Sequence, residues 1–227
     1  MRLYKFIGND YALENLLLQH VKISKVVATN DPFEMVPFRF SNAQDRDLFF
    51  KVRETHTRNR GFISFSESSD SPSMWANYAN NHKDLCLGFE APEAMNFLKK
   101  PSTSLRKISY VPEFREFNTA ALKQSGVELL EGEIDYAMGT KSLYWEYENE
   151  WRLFVGIDQR QETTPNWFLP YSVQLSLREV IVGRDYPGSI EALKKAVSDE
   201  NVNFFRAAQS IDSFSITKSP KPRMGSA

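Results

Sequence analysis

Strand-length apolar runs separated by helix-spaced segments and turn signals recur along this chain. That alternation limits it to folds in which a sheet packs against helices. Leu3 to Ile7 is apolar and aromatic and closes on Gly8-Asn9, an opening strand and turn. Asp10 then caps a helix to about Gln19, with Leu13, Leu16 and Leu17 at helical spacing. Asn30-Asp31-Pro32 is a turn, because proline fixes its own φ and keeps Asp31 out of the helical region. A second helix is predicted over about Ala43 to Glu54. Gly61 to Ser66 reads as a strand with Ser64 and Ser66 on one face and Ile63 and Phe65 on the other. Ser71-Pro72 starts a helix to about Asn80, and Trp75, Tyr78 and His82 share one face of it if the helix reaches His82.

The second half continues the pattern. Leu85 to Phe89 and Arg106 to Tyr110 read as strands, with a helix from Ala91-Pro92-Glu93 to about Leu98 between them. About Phe114 to Met138 is predicted largely helical with a break near Gly126. Glu150 to Gly156 is a strand with Trp151, Leu153 and Val155 on one face and Glu150 and Arg152, continued by Glu148, on the other. Strands at about Val173 to Ser176 and Glu179 to Gly183, a helix from about Gly188 to Val197, and short strands near Phe204 and Ile211 to Ile216 complete the reading. A length of 227 residues favours one core over two. The expected architecture is α+β: a single domain over 1–217 with a central, mostly antiparallel or mixed sheet flanked by helices, and a mobile polar tail over 218–227.

Charge and cysteine content narrow the surroundings. A net charge of −1 argues against binding to nucleic acid or membrane by bulk electrostatics. The single cysteine, Cys86, excludes an internal disulfide and suits a reducing, cytoplasmic setting. No run approaches the roughly 20 apolar residues of a membrane span, and the N-terminal residues lack a leader pattern. His20, His56 and His82 show no paired metal-ligand spacing, so no metal is expected.

Five blocks carry a family resemblance: Leu3-Tyr4-Lys5-Phe6; Asn30-Asp31-Pro32-Phe33-Glu34; Phe65-Ser66-Glu67; Met74-Trp75 with Tyr78-Ala79, His82, Cys86 and Gly88-Phe89; and Lys141, Trp145, Glu148, Glu150 and Arg152. Glu179-Val180-Ile181-Val182-Gly183 also fits. In this order they resemble the domain of unknown function 2971 family of bacteria and phages. Asp84 stands where the family pattern His-x-Gly-x-Cys-x-Gly-Phe has glycine. A looser resemblance is to ADP-ribosyltransferases, through Lys5 on the opening strand, the Ser64/Ser66 strand and the late Glu148-Asn149-Glu150.

The second resemblance implies NAD as co-substrate, Glu150 and Glu148 as the catalytic pair, and a toxin or phage-defence role. Tyr4, Lys5, Ser66, Trp75, Tyr78, His82 and Arg152 are then the candidates for holding NAD or a similar small nucleotide-like ligand. Each has a plainer reading. Glu148, Glu150 and Arg152 could be a solvated face with weak ion pairs, and Trp75, Tyr78 and His82 a packed helix face. Asn30 to Glu34 could be a structural turn, with Asp31 or Glu34 reaching the same pocket in the functional version. Cys86, between Leu85 and Leu87, reads as an inert core thiol. The basic run Lys51, Arg53, Arg58 and Arg60 keeps nucleic acid open as acceptor or target alongside protein. The competing functions are a non-catalytic ligand-binding or sensor module and a nucleic-acid hydrolase needing a metal-binding acid cluster.

Overall fold

A computed structural model describes residues 1–8, 11–91, 103–117, 127–157, 166–197 and 199–220. The strands are β1 (Arg2–Ile7), β2 (His20–Ile23), β3 (Phe38–Arg39), β4 (Arg60–Ser66), β5 (Leu85–Glu90), β6 (Ser104–Lys107), β7 (Ser109–Val111), β8 (Arg115–Glu116), β9 (Thr140–Ser142), β10 (Glu150–Gly156), β11 (Trp167–Pro170), β12 (Ser176–Val182), β13 (Asn203–Gln209) and β14 (Ile216–Ser219). The helices are α1 (Tyr11–Leu17), α2 (Ala43–Thr57), α3 (Pro72–Tyr78), α4 (Val127–Met138) and α5 (Ile190–Val197), with a 3-10 stretch over Leu143–Glu148. The expected α+β architecture is what forms: an eight-stranded mixed sheet in the order β14-β13-β12-β5-β1-β4-β10-β6, flanked by helices. Its strands pair antiparallel except for the parallel pair β12 and β13.

Side-chain alternation divides the core between the two faces of this sheet. On one face Leu3, Ile63, Phe65, Leu87, Leu153 and Val180 pack with Ala12 and Leu16 of α1 and Leu193 and Val197 of α5. The other face carries two separate apolar clusters. Phe62 and Phe154 join Phe49 of α2 and Ile134 of α4, while Tyr4, Phe6, Cys86 and Ile181 join Met74 and Trp75 of α3. Between those clusters the register aligns Tyr4, Ser66 and Glu150 across three strands, with Ser64 opposite Arg152 two pairs further on. The second face therefore turns polar where its two apolar clusters part.

The same place is where the sheet opens. β1 and β4 share one register pair, Tyr4 with Ser66. Further along β4, Phe62 exchanges backbone hydrogen bonds of 2.8 and 3.0 Å with Ser24, just beyond β2, instead of with β1. Gly61 permits that substitution, because a Cβ there would lie 2.4 Å from Ile23 Cγ2 and 2.7 Å from the Ser24 carbonyl. Strand β4 is thus handed from one neighbour to another, and a gap is left between it and β1.

Several local expectations are corrected. Residues 115–116 form strand β8 rather than helix, paired with β3. One bulged strand, β12, replaces the two predicted there, and Val173 is exposed. Strands β2, β9 and β11 are too short or too polar to stand out in the sequence and emerge only in the structure. β14 continues to Ser219, past the boundary drawn at 217. The Asp10 cap, the 92–98 helix and residues 118–126 and 221–227 lie outside the described residues.

Gly61→Ala should cost about 1–3 kcal/mol, since either the Ser24 backbone or β4 must move. Urea unfolding of the variant measures this, and a change within about 0.5 kcal/mol would mean that the close approach carries no constraint.

Candidate functional site

The gap between β1 and β4 contains a cavity of about 400 Å³, within the range of small-molecule sites. Tyr4, Lys5, Ser64, Ser66, Tyr78, Glu148 and Glu150 line it, together with Asn30, Glu34 and Lys141. Elements distant in sequence supply these groups, so the site exists only in the folded chain. Ser71 caps α3 by accepting the Met74 N–H at 3.3 Å, with Pro72 at the first helical position. Tyr78, at the end of that helix, directs its hydroxyl to Glu148 at 2.5 Å. Glu148 ends the 3-10 stretch rather than beginning the strand. Asn149 follows with φ 43°, a left-handed residue that turns the chain so that Glu148 and Glu150 still meet at one place.

Behind the cavity lies an ion-pair network with three carboxylates. Arg152 is fully buried, donating from Nη1 and Nη2 to Glu34 at 2.5 and 3.0 Å and from Nε and Nη2 to Glu150 at 2.8 and 2.9 Å. Lys141 Nζ donates to Glu148 at 2.5 Å and to Glu150 at 3.4 Å. The Tyr110 hydroxyl oxygen accepts the Glu150 backbone N–H at 2.8 Å, fixing the start of β10.

These surroundings drive the two neighbouring acids apart. Burial by itself would raise Glu150, but the Arg152 guanidinium, Lys141 and a hydrogen bond from Ser64 outweigh it and hold the carboxyl at about 2. Glu148 is raised, first by burial and then by the adjacent Glu150 charge, against the opposing pull of Lys141. Glu34 is also raised by burial, against Arg152. A fixed anion thus sits beside a carboxyl that holds its proton more tightly, the division of labour that acid–base chemistry requires. On the opposite wall, burial pushes the Lys5 amine down to about 8, with Glu150 and Glu148 pulling upward. No described side chain lies within hydrogen-bond distance of that amine.

Residues 74–153 match the family described as Protein of unknown function (DUF2971). The family resemblance read from the sequence is borne out over that stretch. No curated protein and no solved structure matches the chain. The DUF2971 match runs from α3 into β10 and contains Tyr78, Lys141, Glu148, Glu150 and Arg152. Tyr4, Lys5, Glu34 and Ser66 come from outside it, so the cavity joins the DUF2971 segment to the opening strand and β4. Asp84, where the family pattern has glycine, is not strained: the left-handed residues here are Asn80, Asn81 and His82.

Of the candidates named from sequence, Tyr4, Lys5, Ser66, Tyr78, Glu148 and Glu150 share the cavity. Trp75, His82 and Arg152 do not line it. Trp75 is completely buried against Phe6, with its indole N–H on the Ser69 carbonyl at 2.7 Å. Helix α3 stops at Tyr78, and the left-handed run that follows folds His82 back so that its ring stacks on Trp75. Arg152 is walled in by Glu34 and Glu150, so it positions carboxylates and presents no donor to a ligand. The sequence reading did not give a site role to Lys141, although it stood in the same block as the acidic pair. Arg53 turns inward to the Glu34 carbonyl at 3.0 Å, while Arg58 pairs with Glu54 at the surface. Among the described residues no group of three or more His, Cys, Asp or Glu side chains is arranged to hold a metal, and no helix is long and apolar enough to cross a membrane.

Arg152→Met should destabilise the protein by about 3–5 kcal/mol, because Glu34 and Glu150 would remain buried without their cation; chemical denaturation reads this directly. The depressed value of Glu150 means that it contributes stability that is complete above its ordinary value of 4.5 and is lost as pH falls toward about 2. Unfolding free energy measured across that window should fall less steeply in Glu150→Gln than in the wild type, by up to one proton's worth of slope.

Proposed function

We propose that the cavity takes NAD and that Glu150 and Glu148 divide the work of transferring its ADP-ribosyl group to an acceptor. The observation that carries this reading is the oppositely perturbed carboxylate pair at the wall of a cleft in an opened sheet, facing a lone amine. When the bond between ribose C1′ and the nicotinamide nitrogen breaks, its electron pair leaves with nicotinamide and positive charge develops on the ribose. Glu150, held ionised by Arg152 and Lys141, is the anion placed to stabilise that charge. Glu148, with its higher proton affinity, is suited to receive the proton that the acceptor loses on bonding to C1′. Tyr78 orients Glu148 and offers a ring to a flat ligand.

The space also suits a ligand with two halves. A second hollow of about 450 Å³ shares Lys5, Phe6, Ser24, Asn77 and Tyr78 with the first and continues to Asn15 and Lys22. Asn15 is buried there with its Oδ1 lacking a hydrogen-bond partner among the described residues. Lys5 stands where the two hollows join, the position for the diphosphate of a dinucleotide. This reading extends to a toxin or phage-defence enzyme of the bacterial cytoplasm acting on protein or nucleic acid.

One observation favours a second reading. Both Glu150 oxygens already accept from Arg152, an arrangement equally suited to a rigid binding module that recognises a nucleotide-like ligand without turnover. Nicotinamide release from NAD, followed with candidate acceptors present, separates the two. Turnover that falls by about 100-fold or more in Glu150→Gln supports transfer. Equal traces for wild type, variant and blank, with the melting temperature still raised by NAD, assign the site to binding alone. If Lys5 binds diphosphate as an ammonium, NAD affinity should weaken as pH rises through about 8, and Lys5→Gln should weaken binding and remove that dependence.

A further inference from the structure

Behind the cavity wall formed by residues 30–34 and β9 runs a further depression, a groove of about 720 Å³ that the proposed transfer does not use. Its lining is aromatic and open: Phe33, Phe114 and Tyr144 are 56%, 45% and 89% exposed, and Trp145 lies on the same lining with Lys141 Nζ 4.7 Å above its ring. The Phe33 and Phe114 rings stand 5.7 Å apart. A contiguous patch of such rings on a surface is the mark of a contact site.

Charge identifies what the groove would accept. Both of its cations are already matched. Arg39 Nε lies 3.5 Å from the Glu116 carboxylate, and Lys141 is committed to Glu148 and Glu150 in the neighbouring cavity. The carboxylates of the groove are less satisfied. Asp31 is 4% exposed; its Oδ1 accepts the Phe33 N–H at 2.9 Å and its Oδ2 has no hydrogen-bond partner among the described residues. Glu113, exposed at the rim, has no ion pair within 4.0 Å among the described residues. A buried carboxylate oxygen without a donor is costly and is relieved by an incoming cation. Exposed rings around it favour a cation that is planar and weakly hydrated, and guanidinium has both properties along with several donors.

We propose that this groove docks an extended segment of a partner protein through an arginine side chain, its guanidinium over the aromatic rings and toward Asp31. The groove is larger than one guanidinium needs. Pro32, Pro37, Pro112 and Phe114 supply the remaining apolar wall for the residues flanking the arginine. Negative unmatched charge disfavours nucleic acid at the same place.

The test is calorimetric titration of the full chain with acetyl-Leu-Arg-Leu-amide, the same peptide carrying citrulline, and agmatine. The arginine peptide is expected to bind about tenfold or more tightly than the citrulline peptide, which lacks the charge, and more tightly than agmatine, which lacks the flanking residues. Asp31→Asn keeps the acceptor for Phe33 N–H and should weaken the arginine peptide by about fivefold or more. Glu113→Gln and Tyr144→Ala alter exposed side chains, leave the melting temperature unchanged, and should each weaken it as well. Equal binding of arginine and citrulline peptides, no binding at all, or no loss in any of the three variants would overturn the proposal. Agmatine binding as tightly as the peptide would overturn the partner segment in favour of a small organic cation.

Discussion

A guanidinium buried between two carboxylates organises this protein. Arg152 holds Glu34, from the turn after Asn30-Asp31-Pro32, and Glu150, at the start of its own strand. Those contacts fix three segments that alternation alone would leave independent: the 30–34 turn, β10 and, through Glu150 and Lys141, β9. A buried charge survives only if its partners are in place, so the network and the closed polar side of the sheet depend on each other. It is also why Arg152, which looked like a ligand-binding residue on a polar strand face, belongs to the scaffold.

The opened seam between β1 and β4 gives that scaffold a use. Most neighbouring strands in the sheet pair over several residues, and space between them is filled by their own backbones. Here β4 is paired at one end with β1 and at the other with Ser24, and the unpaired interval admits side chains instead of ladder hydrogen bonds. Alternation along β1 would assign Lys5 to the same face as Leu3 and Ile7, within the apolar core. The gap puts it on the cavity lining instead, where the charges of Glu150 and Glu148 act on its amine without a direct hydrogen bond. A lysine in that position keeps its charge only against desolvation, which is why its proton is loosely held.

Much of the site was legible because strands impose a strict period. Ser64 and Ser66 against Ile63 and Phe65, and Glu150 and Arg152 against Trp151 and Leu153, announce one polar and one apolar face, and the register brings the two polar faces together. Helical spacing misled for Trp75, Tyr78 and His82. The helix stops at Tyr78 and the chain enters a left-handed turn through Asn80, Asn81 and His82, so that only Tyr78 reaches the cavity while His82 covers Trp75. Glu34 shows the converse. Its turn has a sufficient local explanation in asparagine, aspartate and proline, and nothing local indicates that Glu34 itself ends against Arg152, 118 residues away.

The sequence by itself determined the mixed α and β character, the alternation of faces, the cap of α3 and the pairing of acids two positions apart, because each rests on contacts within a few residues. Only the tertiary structure decided that β1 and β4 part, that Lys141 and Arg152 compensate three buried carboxylates, and that Lys5 faces them. Those outcomes depend on which strand becomes the neighbour of which, and the free energy selecting a neighbour is spread over the whole core rather than written in any one segment.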